Sequence, residues 1–239
     1  MGTAFLSDKQ LRFYSENGYL EYGRVLGDPE VQELRDIIED LVVKQKPDVE
    51  LTATKAETYS LFTMVYQKDP RFWELMQANP VLLDIVESIL GPTFRLVEDQ
   101  MFYKPADHGA PLLFHADNVY YGFKDPEIVT CWIALDDATP ENGCLRMLPG
   151  THRREIRHEA VPGTILQEAV IDESLAIPVP ARTGDLILFD GLTVHGSGPN
   201  TTGKPRRVAN MVSIVPCKDG LHHKFADSTN PYLRGGPAR

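Results

Sequence analysis

At 239 residues, with 42% hydrophobic and 24% charged side chains, the chain is long enough to bury a sizeable core and lacks the composition of a disordered segment. Its formal charge of -10 excludes general attraction to nucleic acid or to an anionic membrane surface, because both need a basic footprint. Three scattered cysteines, Cys131, Cys144 and Cys217, form neither a disulfide framework nor a zinc pattern, and no apolar run approaches the ~18 residues that span a bilayer. The expectation is one cytoplasmic domain, a monomer or small homo-oligomer, that acts on a small molecule.

In chain order, residues 1–92 read as mainly helical. Ser7 and Gln10 form a capping-box pattern before LRFYSENG, and Gly18 stops that helix. Asp28 as N-cap and Pro29 at N1 open a second helix, along which Val31, Leu34, Ile37, Ile38 and Leu41 recur at helical spacing. Residues 46–69 show no strong period and are expected to be a loop. Pro70 and Pro80 each open a further short helix, and Gly91-Pro92 ends the second.

From residue 93 the texture changes to short runs rich in Val, Ile, Phe, Tyr and Leu: FRLVEDQMFYK, PLLFHADNVYYG, IVTCWIALD, DLILFDGLTVHG and RVANMVSIVP. Turn residues separate them, and no helix between them is long enough for a parallel crossover, so a sandwich, jelly roll or barrel is expected over residues 93–226. The tail, 227–239, is expected to be loosely held.

Within PLLFHADNVYYG, strand periodicity sets His115 and Asp117 on one face. They are either polar residues on the wet face of a sheet or half of a metal site. His195, at the end of another apolar run, offers the third ligand of a two-histidine, one-carboxylate triad, the donor set that holds non-haem Fe(II) and leaves positions open for oxygen chemistry. Zinc sites with these ligand types usually use an HExxH helix, which is absent. After His195 come Ser197 and the pair Arg206 and Arg207. A buried guanidinium there suits a dicarboxylate, which it binds through two parallel hydrogen bonds. Strand parity does not separate the two arginines, since both faces of that run are partly apolar.

Four ordered blocks carry a resemblance: LSDKQLRFYSENGYLEYGRVL with DPEVQELRDIIEDL, then EDQMFYKPADHGAPLLFHADNVYYG, CWIALDDATPENGCLRMLPGTHR, and GDLILFDGLTVHGSGPNTTGKPRRVANMVSIVP. Together they resemble the phytanoyl-CoA dioxygenase family of Fe(II)- and 2-oxoglutarate-dependent oxygenases. The resemblance implies a cupin-like double-stranded β-helix, a jelly roll, with the N-terminal helices packed outside. It implies iron ligation by His115, Asp117 and His195, and assigns Arg206, eleven positions after His195, to the distal carboxylate of 2-oxoglutarate with Ser197 assisting. Trp132 falls near an aromatic wall of the co-substrate pocket, and Gln100 at a position that contacts 2-oxoglutarate or substrate. Asn118, Tyr120 and Tyr121, just after the ligand strand, are the candidate substrate contacts. His152 and Asn142-Gly143 are expected to order turns, and His108, His158, His222 and His223 to lie in loops or on the surface.

The implied reaction consumes O2 and 2-oxoglutarate, hydroxylates an unactivated carbon, and releases succinate and CO2. Asp117 argues against halogenation, in which a small residue replaces the carboxylate to admit chloride. Desaturation, cyclisation and epimerisation share the ligand set. From another class, a non-oxygenase jelly roll serving as a binding protein or isomerase has no use for the Arg206 and Ser197 pair.

Overall fold

The computed structural model of the chain describes residues 5–54, 57–124, 127–162, 164–214 and 231–236. Helix α1 (Asp8–Asn17) carries the expected capping box between Ser7 and Gln10, and Gly18 ends it in the left-handed region at φ 79°. After β1 (Tyr19–Arg24) comes α2 (Asp28–Lys44), whose cap is Gly27 and not Asp28: the Glu30 carboxylate accepts the Gly27 N–H, while Asp28 turns to Arg24. All five apolar residues predicted to line α2 are buried.

Residues 46–69 are not a loop. Strands β2 (Val49–Thr54) and β3 (Glu57–Thr63) form a hairpin that leads into the single turn α3 (Val65–Lys68). The period was invisible because β3 is buried on both faces, with Tyr59 on one and Phe62 on the other. Pro70 does open a helical segment, but Trp73–Gln77 adopts π geometry. Asn79 caps α4 (Pro80–Leu90), accepting from the backbone N–H groups of Val81 and Leu82.

The strands and the helix that follow start with β4 (Phe94–Lys104), β5 (Leu112–His115), the single turn α5 (Asn118–Tyr121), β6 (Ile128–Ala134) and β7 (Leu145–Met147). Then come β8 (His158–Ala160), β9 (Gln167–Ala169), β10 (Ile177–Val179), β11 (Asp185–Asp190), β12 (His195–Ser197), β13 (Arg206–Ile214) and β14 (Tyr232–Arg234). The large antiparallel sheet runs in the order β1, β11, β6, β13, β4, β3, β2, with β14 also paired to β4; the small sheet runs β10, β7, β12, β5. β8 and β9 form a separate hairpin. Three strands of the large sheet thus come from the first 92 residues. Of the tail, the described residues 231–236 differ from expectation: β14 pairs with Phe94 and Arg95, and Arg234 binds Asp84 and Glu87 of α4. Cys217, His222 and His223 lie outside the described residues.

Alternation along the central strands of the large sheet sends side chains to two main cores. Val129, Cys131, Ile133, Leu186, Leu188, Ala209 and Met211 pack with the apolar faces of α1, α2 and α4. Trp132, Ala134, Ile187, Phe189 and Val208 face the other way and pack with Leu145, Met147 and Val179 of the small sheet. This is the jelly roll that was expected, with helices outside one sheet and the second sheet closing the inner face. Cys131 and Cys144 are buried packing residues without a disulfide. Among the described residues no helix is long and apolar enough to cross a membrane.

Parity along β13 separates the two arginines. Arg207 shares the helix-side face with Ala209; its guanidinium forks onto Asp136 at 2.8 and 2.6 Å and reaches Glu39 of α2 at 2.7 Å. Arg206 points inward with Val208. Arg207→Ala should therefore destabilise the half-buried link between α2 and the sheet by about 2 kcal/mol, between the values for exposed and buried pairs. Thermal denaturation should show Tm lowered by roughly 4–8 °C.

Candidate metal centre

β5 and β12 lie side by side with His115 opposite His195, and the two rings are 4.5 Å apart between centroids. Each Nδ1 rests on a backbone carbonyl two residues upstream: His115 on Leu113 at 2.8 Å, His195 on Thr193 at 3.0 Å. A carbonyl oxygen only accepts, so Nδ1 donates in both rings and each Nε2 keeps a free lone pair aimed inward. Fixing the imidazole tautomer in this way is what outer partners do at metal sites.

The third group arrives by a different route from the one expected. The strand stops at His115, and Asp117 has helical dihedrals, φ -54° and ψ -38°, at the start of α5. The turn is held by Asn118, whose N–H donates to Gly191 and whose side chain closes on both backbone groups of Phe123. It brings Asp117 Oδ1 to 3.6 Å from His115 Nε2 and 3.5 Å from His195 Nε2, while Oδ2 accepts from the Thr130 hydroxyl at 2.7 Å. The three residues offer one ligand atom each, all within 4.8 Å of one another.

Charge states suit a cation. Burial pushes the Asp117 carboxyl up, but His195, His115 and the Thr130 hydroxyl outweigh it and hold the group below the usual carboxylate range. Burial pulls His195 down to about 4, against the attraction of Asp117, so its nitrogen is unprotonated at neutral pH. Two imidazoles and one carboxylate on one side of a buried centre fit the Fe(II) facial triad.

The triad opens on a cavity of about 240 Å³ between the sheets, lined also by Trp132, Arg206, Ser197, Gln100, Tyr120 and Tyr121. Arg206 is 3% exposed, with its guanidinium over the Trp132 ring at 6.0 Å. Among the described residues no carboxylate pairs with it, and its Nε has no hydrogen-bond partner. Burial lowers it to about 10, which leaves it charged at neutral pH. The Ser197 hydroxyl, the Tyr59 hydroxyl and the Asn210 carbonyl oxygen are equally buried and unpartnered in the same cavity. Beside Arg206 in the β-ladder, Lys104 is fully buried, and burial and Arg206 together push its ammonium well down. A fixed cation beside the unsatisfied Ser197 and Tyr59 hydroxyls is a preformed anion site.

Tyr120 lines the cavity with its ring 5.5 Å from His115, and its hydroxyl accepts the Gln167 N–H. Gln100 and Tyr121 both donate to Glu98. Asn118 is not among the cavity-lining residues; its amide is used in the turn. As expected, Asn142-Gly143 forms a turn and His108 is exposed; His152 holds its turn against the Ser15 carbonyl. His158 is a correction. It is half-buried, and its Nε2 accepts the N–H of Ala116, between two triad residues. Sequence reasoning also passed over Thr130, Tyr59, Glu98 and Asn210. The available signal was a hydroxyl or acid inside an apolar strand, such as Thr130 in IVTCWIA.

The family model for phytanoyl-CoA dioxygenase matches residues 14–208. The human protein "Phytanoyl-CoA dioxygenase, peroxisomal" is 28% identical over 222 residues, covering 82% of this chain and 65% of its own length, so the chain spans a little under two thirds of that relative. A methylphosphonate hydroxylase of Gimesia maris is 30% identical over 227 residues, covering 92% of this chain and 85% of that one. Among solved structures, the non-haem α-ketoglutarate-dependent carbocyclase SnoK of nogalamycin biosynthesis superimposes with a TM-score of 0.74 at 26% identity, covering 88% and 85% of the two chains. With four sequence blocks, a jelly roll and a His-Asp-His centre in agreement with the match over residues 14–208, the chain belongs to the phytanoyl-CoA dioxygenase family.

Proposed function

We propose that the chain is an Fe(II)- and 2-oxoglutarate-dependent dioxygenase that hydroxylates an unactivated carbon of a small molecule, with release of succinate and CO2. The observation that carries this is the buried Arg206 without a carboxylate, in the same cavity as His115, Asp117 and His195. A binding protein or isomerase on the same scaffold gives no reason to bury a guanidinium and leave it unpaired.

In this reading His115, Asp117 and His195 hold iron, and Arg206 with Ser197 takes the distal carboxylate of 2-oxoglutarate. Bound iron, together with 2-oxoglutarate and O2, supplies the oxidising power needed at an unactivated C–H bond. The chain's own part is to position and to exclude water. Thr130 and the two backbone carbonyls fix the ligands before anything binds, and Trp132 and Phe189 wall the site, with the Phe189 ring 4.4 Å from that of His195. The carboxylate of Asp117 fills the place a halogenase leaves to chloride. Ring closure is the second reading, supported by the likeness to a carbocyclase at 26% identity.

The test is succinate formation and O2 uptake that require both added Fe(II) and 2-oxoglutarate. A purified protein that binds neither sinks the reading. His115→Ala should abolish metal binding measured by calorimetry, whereas Arg206→Ala should keep the metal and raise the apparent KM for 2-oxoglutarate at least about 30-fold, the cost of losing a buried charged partner. Thr130→Val should keep the fold and weaken metal affinity about 10-fold by freeing Asp117 Oδ2.

A further inference from the structure

Glu98 is a carboxylate inside the cavity that the triad and the anion site do not use. It is 5% exposed, on the inward face of β4, and lines the same cavity as His115 and Asp117. Both of its hydrogen bonds fall on one oxygen: the Gln100 amide donates to Oε2 at 2.9 Å and the Tyr121 hydroxyl at 3.1 Å. Oε1 has no donor among the described residues, and no Lys, Arg or His there forms an ion pair with Glu98. Along the backbone the position is well separated from Arg206. Lys104, beside Arg206, lies six residues along the same strand, roughly 20 Å at the usual rise per residue.

A carboxylate oxygen that faces the cavity without a protein donor is left to solvent, and a ligand that displaces that solvent must bring an N–H or O–H to it or leave it stranded. A carboxylate or phosphate in the same place meets like charge. The wall of the same cavity includes Leu61, Tyr120, Leu166 and Ile165, and Ile165 is 67% exposed. The carbon body of the ligand therefore lies on apolar side chains.

We propose that Glu98 determines substrate specificity: its free oxygen accepts a hydrogen bond from an amine or hydroxyl group of the primary substrate, whose remaining surface near that group is apolar. This rests on the dioxygenase reading only in taking the cavity as the substrate site. Tyr121 and Gln100 orient the carboxylate, and burial raises its pKa to about 7, as expected of an acid held in an apolar wall for a partner it has not yet met.

Titration calorimetry with 1-hexylamine, 1-hexanol and hexanoate, on wild type, Glu98→Gln and Glu98→Leu, each loaded with Mn(II) and 2-oxoglutarate so that Arg206 is already occupied, tests it. Wild type should bind the amine or the alcohol at least tenfold more tightly than hexanoate, and which of the two is preferred tells a cationic donor from a neutral one. Glu98→Leu should erase that preference. Glu98→Gln, which keeps the shape and an oxygen acceptor, should weaken the amine about tenfold and the alcohol less. If neither donor probe binds wild type, if hexanoate binds best, or if the ranking is unchanged in Glu98→Leu, the proposal is overturned. A parallel titration of 2-oxoglutarate with Mn(II) in all three proteins keeps the two readings apart. Its failure in wild type rejects the dioxygenase reading, while normal binding beside an unchanged probe ranking rejects only the role of Glu98.

Discussion

The structure is organised around polar groups buried between two sheets without partners of their own. Taking a guanidinium or a carboxylate out of water is expensive, and a protein recovers that expense only through hydrogen bonds and opposite charges. On the helix side of the large sheet the usual solution is found, with Arg207 forked onto Asp136 and tied to Glu39. On the inner side it is withheld. Arg206, Ser197 and Asn210 stay unsatisfied, and two imidazole nitrogens point at a carboxylate across a gap of about 3.5 Å. The apolar cores on either side of the sheet supply the stability that tolerates this. The inner face can then be selected for what it binds and not for how tightly it packs.

The division of labour follows from strand geometry. One residue step along β13 moves an arginine from an ion pair with helix α2 to a cavity wall, because successive side chains leave a strand on opposite faces. The same alternation puts Asp99 among the helices, where it accepts from Val65, Tyr66 and Gln77, and its neighbour Glu98 in the cavity. Two adjacent acids in an apolar strand thus have unrelated tasks.

Much of the centre was legible in the sequence, and for reasons that differ from residue to residue. His115, Asp117 and His195 stood out because each polar residue interrupts or ends an apolar run. Arg206 could be told from Arg207 only by resemblance, since both faces of β13 are apolar and alternation carries no information there. The same blindness turned the β2–β3 hairpin into an expected loop, because β3 is buried on both sides. The convergence of His115 and Asp117 was anticipated for the wrong local reason: a helical turn, closed by Asn118, makes the approach that strand periodicity suggested. His158 and Thr130 make their contacts with residues distant in the chain, Ala116 and Asp117, so a polar residue in a strand could be noticed there but its partner could not be named.

The orientation of both histidines depends on main-chain carbonyls, those of Leu113 and Thr193. A side-chain acceptor is one codon away from being lost; a backbone acceptor has no codon. The proton on each ring is therefore set by elements of the scaffold that survive substitution of every neighbouring side chain. Drift in the cavity wall can exchange one preferred ligand for another while the two imidazoles keep their tautomers. A family built this way can diversify in what it accepts without having to reinvent the centre that does the work.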